Sequence, residues 1–303
     1  HHIGFVGDIM SLYNHNLTVD SSVVNFFLDV DLVVGNLEGI ISVQPAYPMA
    51  QRHNPEIMKI LQEIKPAKQW LLGLCNNHSG DMGFADYIFM LNRLHWKGFK
   101  IAGRKDVPNY LYKNEINFVT GTQWSNQRKC GYITTLNEVQ NHLENKNGVF
   151  NVLFPHWHYE MELYPSPEMI AQSENLLKSW DLIFGHHPHT PQPITSYDVG
   201  GVNKVVAYSG GDFTSGLNMK EHNYGIVAKC TIGPLKSSKN QLAVGEVKWK
   251  FVWSDDSKKK RTNDVKPEKY SKMAFSNIKS RMKYKRKKNW KDIINRDITL
   301  RLV

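Results

Sequence analysis

The stretch IFGHHPHTPQP, residues 183–193, sets His186, His187 and His189 around a proline directly after an apolar run. Other residues able to hold a metal ion stand at the ends of other apolar runs. Asp8 follows IGFVG (3–7), Asn36 and Glu38 close and follow VDLVVGN (30–36), Asn77 and His78 follow QWLLGLC (69–75), and His156 follows VFNVLF (149–154). Carboxylate, amide oxygen and imidazole suit Zn, Mn or Fe better than a metal that prefers thiolate. Two such ions about 3.5–4 Å apart need several ligands each, one of them shared. Asp8, Glu38, Asn77, His156, His187 and His189 can supply that set. A centre of this kind binds phosphate-like groups and activates water. His78, left outside the metal sphere, can serve as general acid or transition-state donor.

Each piece taken alone has an ordinary alternative. Asp8 and GNLEG fit turns at strand ends, and CNNHSGD fits a helix-capping loop. His156 could be a packed or surface histidine. His15, His53, His95, His142 and His222 are grouped with no strand-end ligand and read as packing or surface histidines. The metal reading rests on the whole set recurring at strand ends.

The elements that must position these residues alternate. Strand-like runs at 3–7, 30–36, 69–75, 99–103, 149–154 and 181–185 are separated by helical spacing over 55–65, 84–98 and 166–180. Ser166 is the expected N-cap of the last helix, with Pro167 in its first turn, and Gly98 stops the second. Later runs (VNKVVAYSG, YGIVAKCTI, VGEVKWKFVWS) are strands without helices between them. Strand–helix alternation predicts an α/β layered sheet, and in such sheets sites form outside the carboxyl ends of strands.

The 303 residues, 41% hydrophobic, can bury a sizeable core. No apolar run is long enough for a membrane-spanning helix, and no leader peptide is evident before IGFVGD. The expectation is a soluble, cytoplasmic protein, with cell-surface association if an upstream segment is missing. Three widely spaced cysteines make neither a disulfide framework nor a zinc knuckle. The net charge of +10 is concentrated after residue 257. A basic tail of that kind can contact nucleic acid, an anionic surface or an acidic polymer. Tyr270, Phe275, Tyr284 and Trp290 lie among its charges, and the spacing over 267–291 also fits a basic amphipathic helix.

In order along the chain, GDIM (7–10), NLEG (36–39), CNNHSGDMG (75–83), HWHYE (156–160), GHHPHTPQP (185–193) and YSGGDF (208–213) resemble the motifs of the CapA-type proteins of poly-γ-glutamate capsule biosynthesis, within the calcineurin-like metallophosphoesterase superfamily. The resemblance covers roughly residues 3–230. It implies a four-layer α/β/β/α sandwich, and the change of composition at SDDSKKKR, near residue 255, bounds that domain at 1–255. Residues 256–303 would form a basic C-terminal extension, partly helical or disordered. It implies one or two divalent ions (Mn, Fe or Zn) on Asp8, Glu38, Asn77, His156, His187 and His189, with His78 assisting at phosphate and Arg52 facing the anion. Asn36, His158, His186 and Asp212 would stand around the ligands.

Three positions depart from the superfamily pattern. Met10 stands where phosphoesterases of the Asp-x-His type carry histidine. His158 replaces a glycine, and Asp212 replaces an amide near the expected anion site. The function implied first is a metal-dependent hydrolase of a phosphoester or related anion. The alternatives are a non-catalytic factor that binds a polyanion such as poly-γ-glutamate during capsule polymer assembly and, third, a nuclease.

Overall fold

The structure is a computed structural model. It describes residues 1–265 except 14, 129, 147, 218–223, 236–237 and 258–259. The aromatic residues and helical spacing of the basic tail lie outside the described residues.

In chain order the strands of the first half are β1 (His2–Ile9), β2 (Asn16–Val19), β3 (Leu32–Leu37), β4 (Ile40–Ile41), β5 (Arg52–His53), β6 (Trp70–Gly73), β7 (Lys100–Ala102) and β8 (Asn109–Tyr112). They are followed by β9 (Ile116–Thr122), β10 (Phe150–His156), β11 (Leu182–Phe184), β12 (Ile194–Val199), β13 (Val202–Ala207), β14 (Asp212–Thr214), β15 (Tyr224–Leu235), β16 (Ser238–Ser257) and β17 (Lys260–Val265). The helices are α1 (Ser21–Phe26), α2 (Ile57–Ile64), α3 (Gly83–Lys97) and α4 (Pro167–Leu176).

One sheet runs β2-β17-β16-β15-β1-β3-β6-β7, with β14 also paired to β1; the second runs β12-β13-β11-β10-β9-β8. The strands that carry the site are parallel: β1 to β3, β3 to β6, β9 to β10 and β10 to β11. The β-rich second half adds antiparallel strands to both sheets, β15–β16–β17 to the first and β12 to the second. The composition break near residue 255 falls within β16, which runs to Ser257, and β17 then pairs with β16 and β2.

Side-chain alternation along the strands makes the layers. From the first sheet, Ile3, Phe5, Val34 and Leu71 meet Phe118, Val152, Phe154 and Phe184 of the second in one inter-sheet core. Phe5 and Phe184 stack there with centroids 4.9 Å apart. The other faces of those strands, with Val6, Val33, Trp70 and Leu72, pack on α1, α2 and α3. Val119, Leu153, Ile183 and Val206 pack on α4 through Met169 and Leu176. The result is a four-layer α/β/β/α sandwich. Both sheets are covered on both faces, which is why their central strands read as continuous apolar runs.

Local signals act as expected at two helix ends. The Ser166 hydroxyl accepts from the Met169 N–H at 3.2 Å and Pro167 occupies the first turn. Gly98 ends α3 in the left-handed region at φ 87°. The sequence spacing did not indicate α1, where Asp20 caps the Ser22 N–H at 2.8 Å, nor β8 and β9. No helix among the described residues is long and apolar enough to cross a membrane.

Candidate metal centre

The carboxyl ends of β1, β3, β6, β10 and β11 meet at one end of the two sheets. Asp8 lies in the last turn of β1, its position set by a close approach of backbones. The Asp8 N–H donates to the Gly211 carbonyl at 2.8 Å, and a Cβ on Gly7 would lie 1.9 Å from that same oxygen. Gly7 therefore lets β1 and the β14 entry close on each other. Asp8 pairs with Asn36 across β1–β3 and with Asp212 across β1–β14. Behind β11, Gly185 is equally required, since a Cβ there would meet the Tyr208 carbonyl at 2.2 Å and the Trp157 ring nitrogen at 2.3 Å. The chain then turns through His187 at φ 102° and His189 at φ 56°. Non-glycine residues held there are strained, and such strain collects at functional sites.

These turns converge on a buried cluster. Asp8, Asn36, Glu38, Asn77, His156, His186, His187, His189 and Asp212 are each at most 2% exposed. Asp8 Oδ1 accepts from Asn36 Nδ2 at 2.7 Å and lies 3.2 Å from His186 Nδ1. Its other oxygen accepts from the His187 backbone N–H at 2.9 Å and lies 3.3 Å from His189 Nδ1. His189 Nδ1 is 2.8 Å from Asp212 Oδ1, and its Nε2 is 3.6 Å from Glu38 Oε1. His156 contacts His186 through Nδ1 and the Asn77 amide oxygen through Nε2, each at 2.8 Å.

The electrostatics follow from this packing. Burial would raise Asp8, but hydrogen bonds and charge from His186 and His189 outweigh it and hold the carboxyl well below its usual range. Glu38 is pushed well above the usual value by burial, helped by the neighbouring carboxylates Asp8 and Asp212. Burial would lower His189, yet Glu38, Asp212 and Asp8 raise it well above the ordinary histidine value. His156 is pushed well down by burial and by the adjacent imidazoles, and His187 falls to about 3, mainly through burial. Asp8, His156 and His187 are shifted toward the deprotonated forms that metal ligands require, whereas Glu38 and His189 would have to release protons to an incoming ion.

The donor set fits divalent ions. Buried polar atoms nearly always find a partner, yet Glu38 Oε1, His186 Nε2 and both ring nitrogens of His187 have none. Ligand atoms of Asp8, His156 and His186 lie within 4.8 Å of one another, as do those of Glu38, His156 and His187. Two further groups, Asp8 with His189 and Asp212, and Glu160 with His187 and His189, meet the same distance. Asp8 recurs in two of the groups, and a carboxylate can be shared between adjacent ions.

His78 sits at the edge of the cluster with Nε2 4.0 Å from Glu38 Oε1. Its Nδ1 is 2.6 Å from Asp81 Oδ2. Asp81 also accepts from the Gln51 N–H at 2.8 Å and from Gln127 Nε2 at 3.3 Å. Burial would raise Asp81, but the hydrogen bond and charge of His78 bring it below the usual value.

Two expected residues are turned elsewhere. The Arg52 guanidinium donates to the Ser42 carbonyl at 3.1 Å, at the β4–β5 pair, because its neighbour His53 takes the inward position. His158, at φ 59°, directs Nε2 to Gln172 on α4 at 2.9 Å. Three participants escaped the strand-end logic. Asp81 stands three residues after His78, and Glu160 two after His158. Asn76 donates to the Asn36 amide oxygen at 3.1 Å and to the Leu37 carbonyl at 2.9 Å, tying β3 to the loop after β6. His186, expected only beside the ligands, reaches both Asp8 and His156.

A family model described as bacterial capsule synthesis protein PGA_cap matches residues 106–217, a span that includes His156, the three clustered histidines and Asp212. The PGA biosynthesis protein CapA of Bacillus subtilis (strain 168) is 24% identical over 246 residues, 69% of this chain and 62% of that protein. The chain is thus similar to CapA-type capsule-synthesis proteins. A second CapA-type relative, the capsule biosynthesis protein CapA of Bacillus anthracis, is 25% identical over 60% of this chain and 50% of its own length. The chain thus spans between half and two thirds of these relatives. Among solved structures, a phosphatase from Mycoplasma pneumoniae has a TM-score of 0.51 at 11% identity, covering 91% of this chain and 98% of that one. A hypothetical protein from Thermus thermophilus has a TM-score of 0.52 at 11% identity, over 83% and 98%. These two share the fold.

Proposed function

We propose that this CapA-like protein is a metal-dependent hydrolase of a phosphoester or a closely related anionic group. The observation that carries the proposal is the buried cluster at the strand ends, where carboxylate and imidazole atoms of Asp8, Glu38, His156, His186, His187 and His189 converge and several lack any partner. Asn77 would add its amide oxygen beside His156. Divalent ions held there would polarise a phosphoryl oxygen and make water nucleophilic near neutral pH. The chain's own part is to orient. Asn36 and the His187 N–H hold the Asp8 carboxylate, Asp212 holds the His189 ring, and Asp81 holds the His78 ring with Nε2 toward the cluster. From there His78 donates a hydrogen bond or proton to the anion or the leaving oxygen.

The test begins with metal content by mass spectrometry on protein purified without chelator, with a Glu38→Ala/His187→Ala variant beside it. One to two equivalents of Mn, Fe or Zn in the parent, lost in the variant, are expected. So is a metal-dependent phosphoesterase activity abolished by His187→Ala and by Asn77→Ala. Equal turnover in both single variants overturns the proposal. The relatives' names, which speak of PGA and capsule biosynthesis, motivate a second reading, a factor that binds poly-γ-glutamate and turns nothing over. Metal without turnover, together with salt-sensitive binding of polyglutamate, would select it.

A further inference from the structure

α3 is apolar on two opposite sides. Toward the sheet it buries Tyr87, Met90, Leu91 and Leu94. On the opposite pole, in steps of three and four residues, stand Ala85, Phe89, Asn92 and Trp96. Trp96 is 89% exposed and Phe89 47% exposed, and Phe84 in the first turn is 55% exposed. A surface helix ordinarily gives that pole to charged and polar residues rather than to aromatic rings. Single exposed apolar residues are common, but here aromatic rings occupy the outer pole of one helix.

The charges beside them have one sign. The Arg93 guanidinium lies 4.4 Å from the Phe89 ring centroid, and Lys97 follows Trp96 in the last turn of the helix. The helix's one acidic residue, Asp86, accepts from the Ser42 hydroxyl at 2.6 Å. Trp, Phe and Arg are enriched at protein–protein interfaces as well, but lysine is depleted there. A convex pole of Trp and Phe flanked by Arg and Lys has instead the composition of a helix lying in a lipid headgroup layer. There the rings sit at the apolar boundary and the cations meet anionic lipid.

We propose that the outer pole of α3 docks on an anionic membrane surface, with Phe89 and Trp96 inserted and Arg93 and Lys97 at the headgroups. The proposal is independent of the metal centre. The full chain is mixed with vesicles of phosphatidylcholine with and without phosphatidylglycerol and sedimented. It is compared with Phe89→Ser/Trp96→Ser and with Trp96→Phe. Binding to the anionic vesicles is expected, weakened about tenfold or more by the double serine variant and largely kept by Trp96→Phe. Lipid with brominated acyl chains should quench the parent's tryptophan fluorescence more than that of Trp96→Phe. These residues are exposed, so an unchanged melting temperature in both variants checks the fold. Absence of binding, or equal binding by parent and double serine variant, overturns the proposal, the second result assigning the attraction to residues 266–303. A dimer seen by ultracentrifugation and lost in the double variant also overturns it, giving the pole to a second copy of the chain.

Discussion

His78 and Asp81 illustrate how little a residue's type reveals before its partner is placed. The imidazole is free to rotate until Asp81 Oδ2 meets Nδ1 at 2.6 Å, which leaves Nε2 as the atom facing Glu38. Asp81→Asn keeps the shape and removes the charge. If the protein is a hydrolase, kcat should fall by about 10- to 100-fold, the usual cost of losing a partner that orients an active-site ring, with KM little changed. A steady-state comparison of Asp81→Asn with the parent checks this, and an unaltered kcat would show that Asp81 does not act through His78.

His53 supports the same loop from below, with Nε2 2.7 Å from the Glu38 carbonyl oxygen. Burial lowers its pKa to about 4. The unfolded chain therefore takes up this proton first, near the ordinary value of about 6.5, and stability rises with pH between the two. Stability from this group is complete above about pH 6.5 and is lost as pH falls toward about 4. Urea midpoints measured from neutral to acid pH should fall, and less steeply in His53→Gln. The slope should not vanish, because His156 and His187 shift in the same direction.

At the scale of elements, the site depends on how closely β1 and the β14 entry approach. Gly7 permits that approach, and backbone rather than a movable side chain faces it, so strain cannot be relieved locally. Gly7→Ala should cost about 1–3 kcal/mol of stability, as other overpacked sites do. It should also weaken metal retention by separating Asp8 from Asp212. Chemical denaturation paired with metal analysis tests both. A variant with parental stability and metal content would show that β1 can shift freely.

For the whole molecule, the cluster opposes folding until its charges are balanced. Asp8, Glu38 and Asp212 are buried within reach of one imidazole, His189. Buried like charges are costly, and a ligand that binds only the folded state stabilises it by mass action. At about 100 times its dissociation constant an ion adds about 2.7 kcal/mol. For a chain of this size that corresponds to a rise in melting temperature of several degrees. Stripping with a chelator should lower the melting temperature by that amount, and Mn or Zn should restore it. The same treatment of Glu38→Ala/His187→Ala should have little effect, and equal shifts in both proteins would place the metal elsewhere.

Much of this architecture was legible in the sequence. Strand–helix alternation, the apolar runs and the polar residues closing them determined an α/β sheet, the end at which a site could form and most of the residues that meet there. Period and capping are local, so Ser166, Pro167 and Gly98 could be assigned from their neighbours alone. What only the tertiary structure decided is which atoms face one another. The Arg52 side chain turns to Ser42 and His158 to Gln172, while His186 turns in to Asp8 and His156. Those directions depend on parity along a strand and on left-handed turns at His158, His187 and His189. They depend equally on glycines that admit neighbouring backbone. Each of these is fixed by contacts tens to hundreds of residues away along the chain, which local sequence does not record.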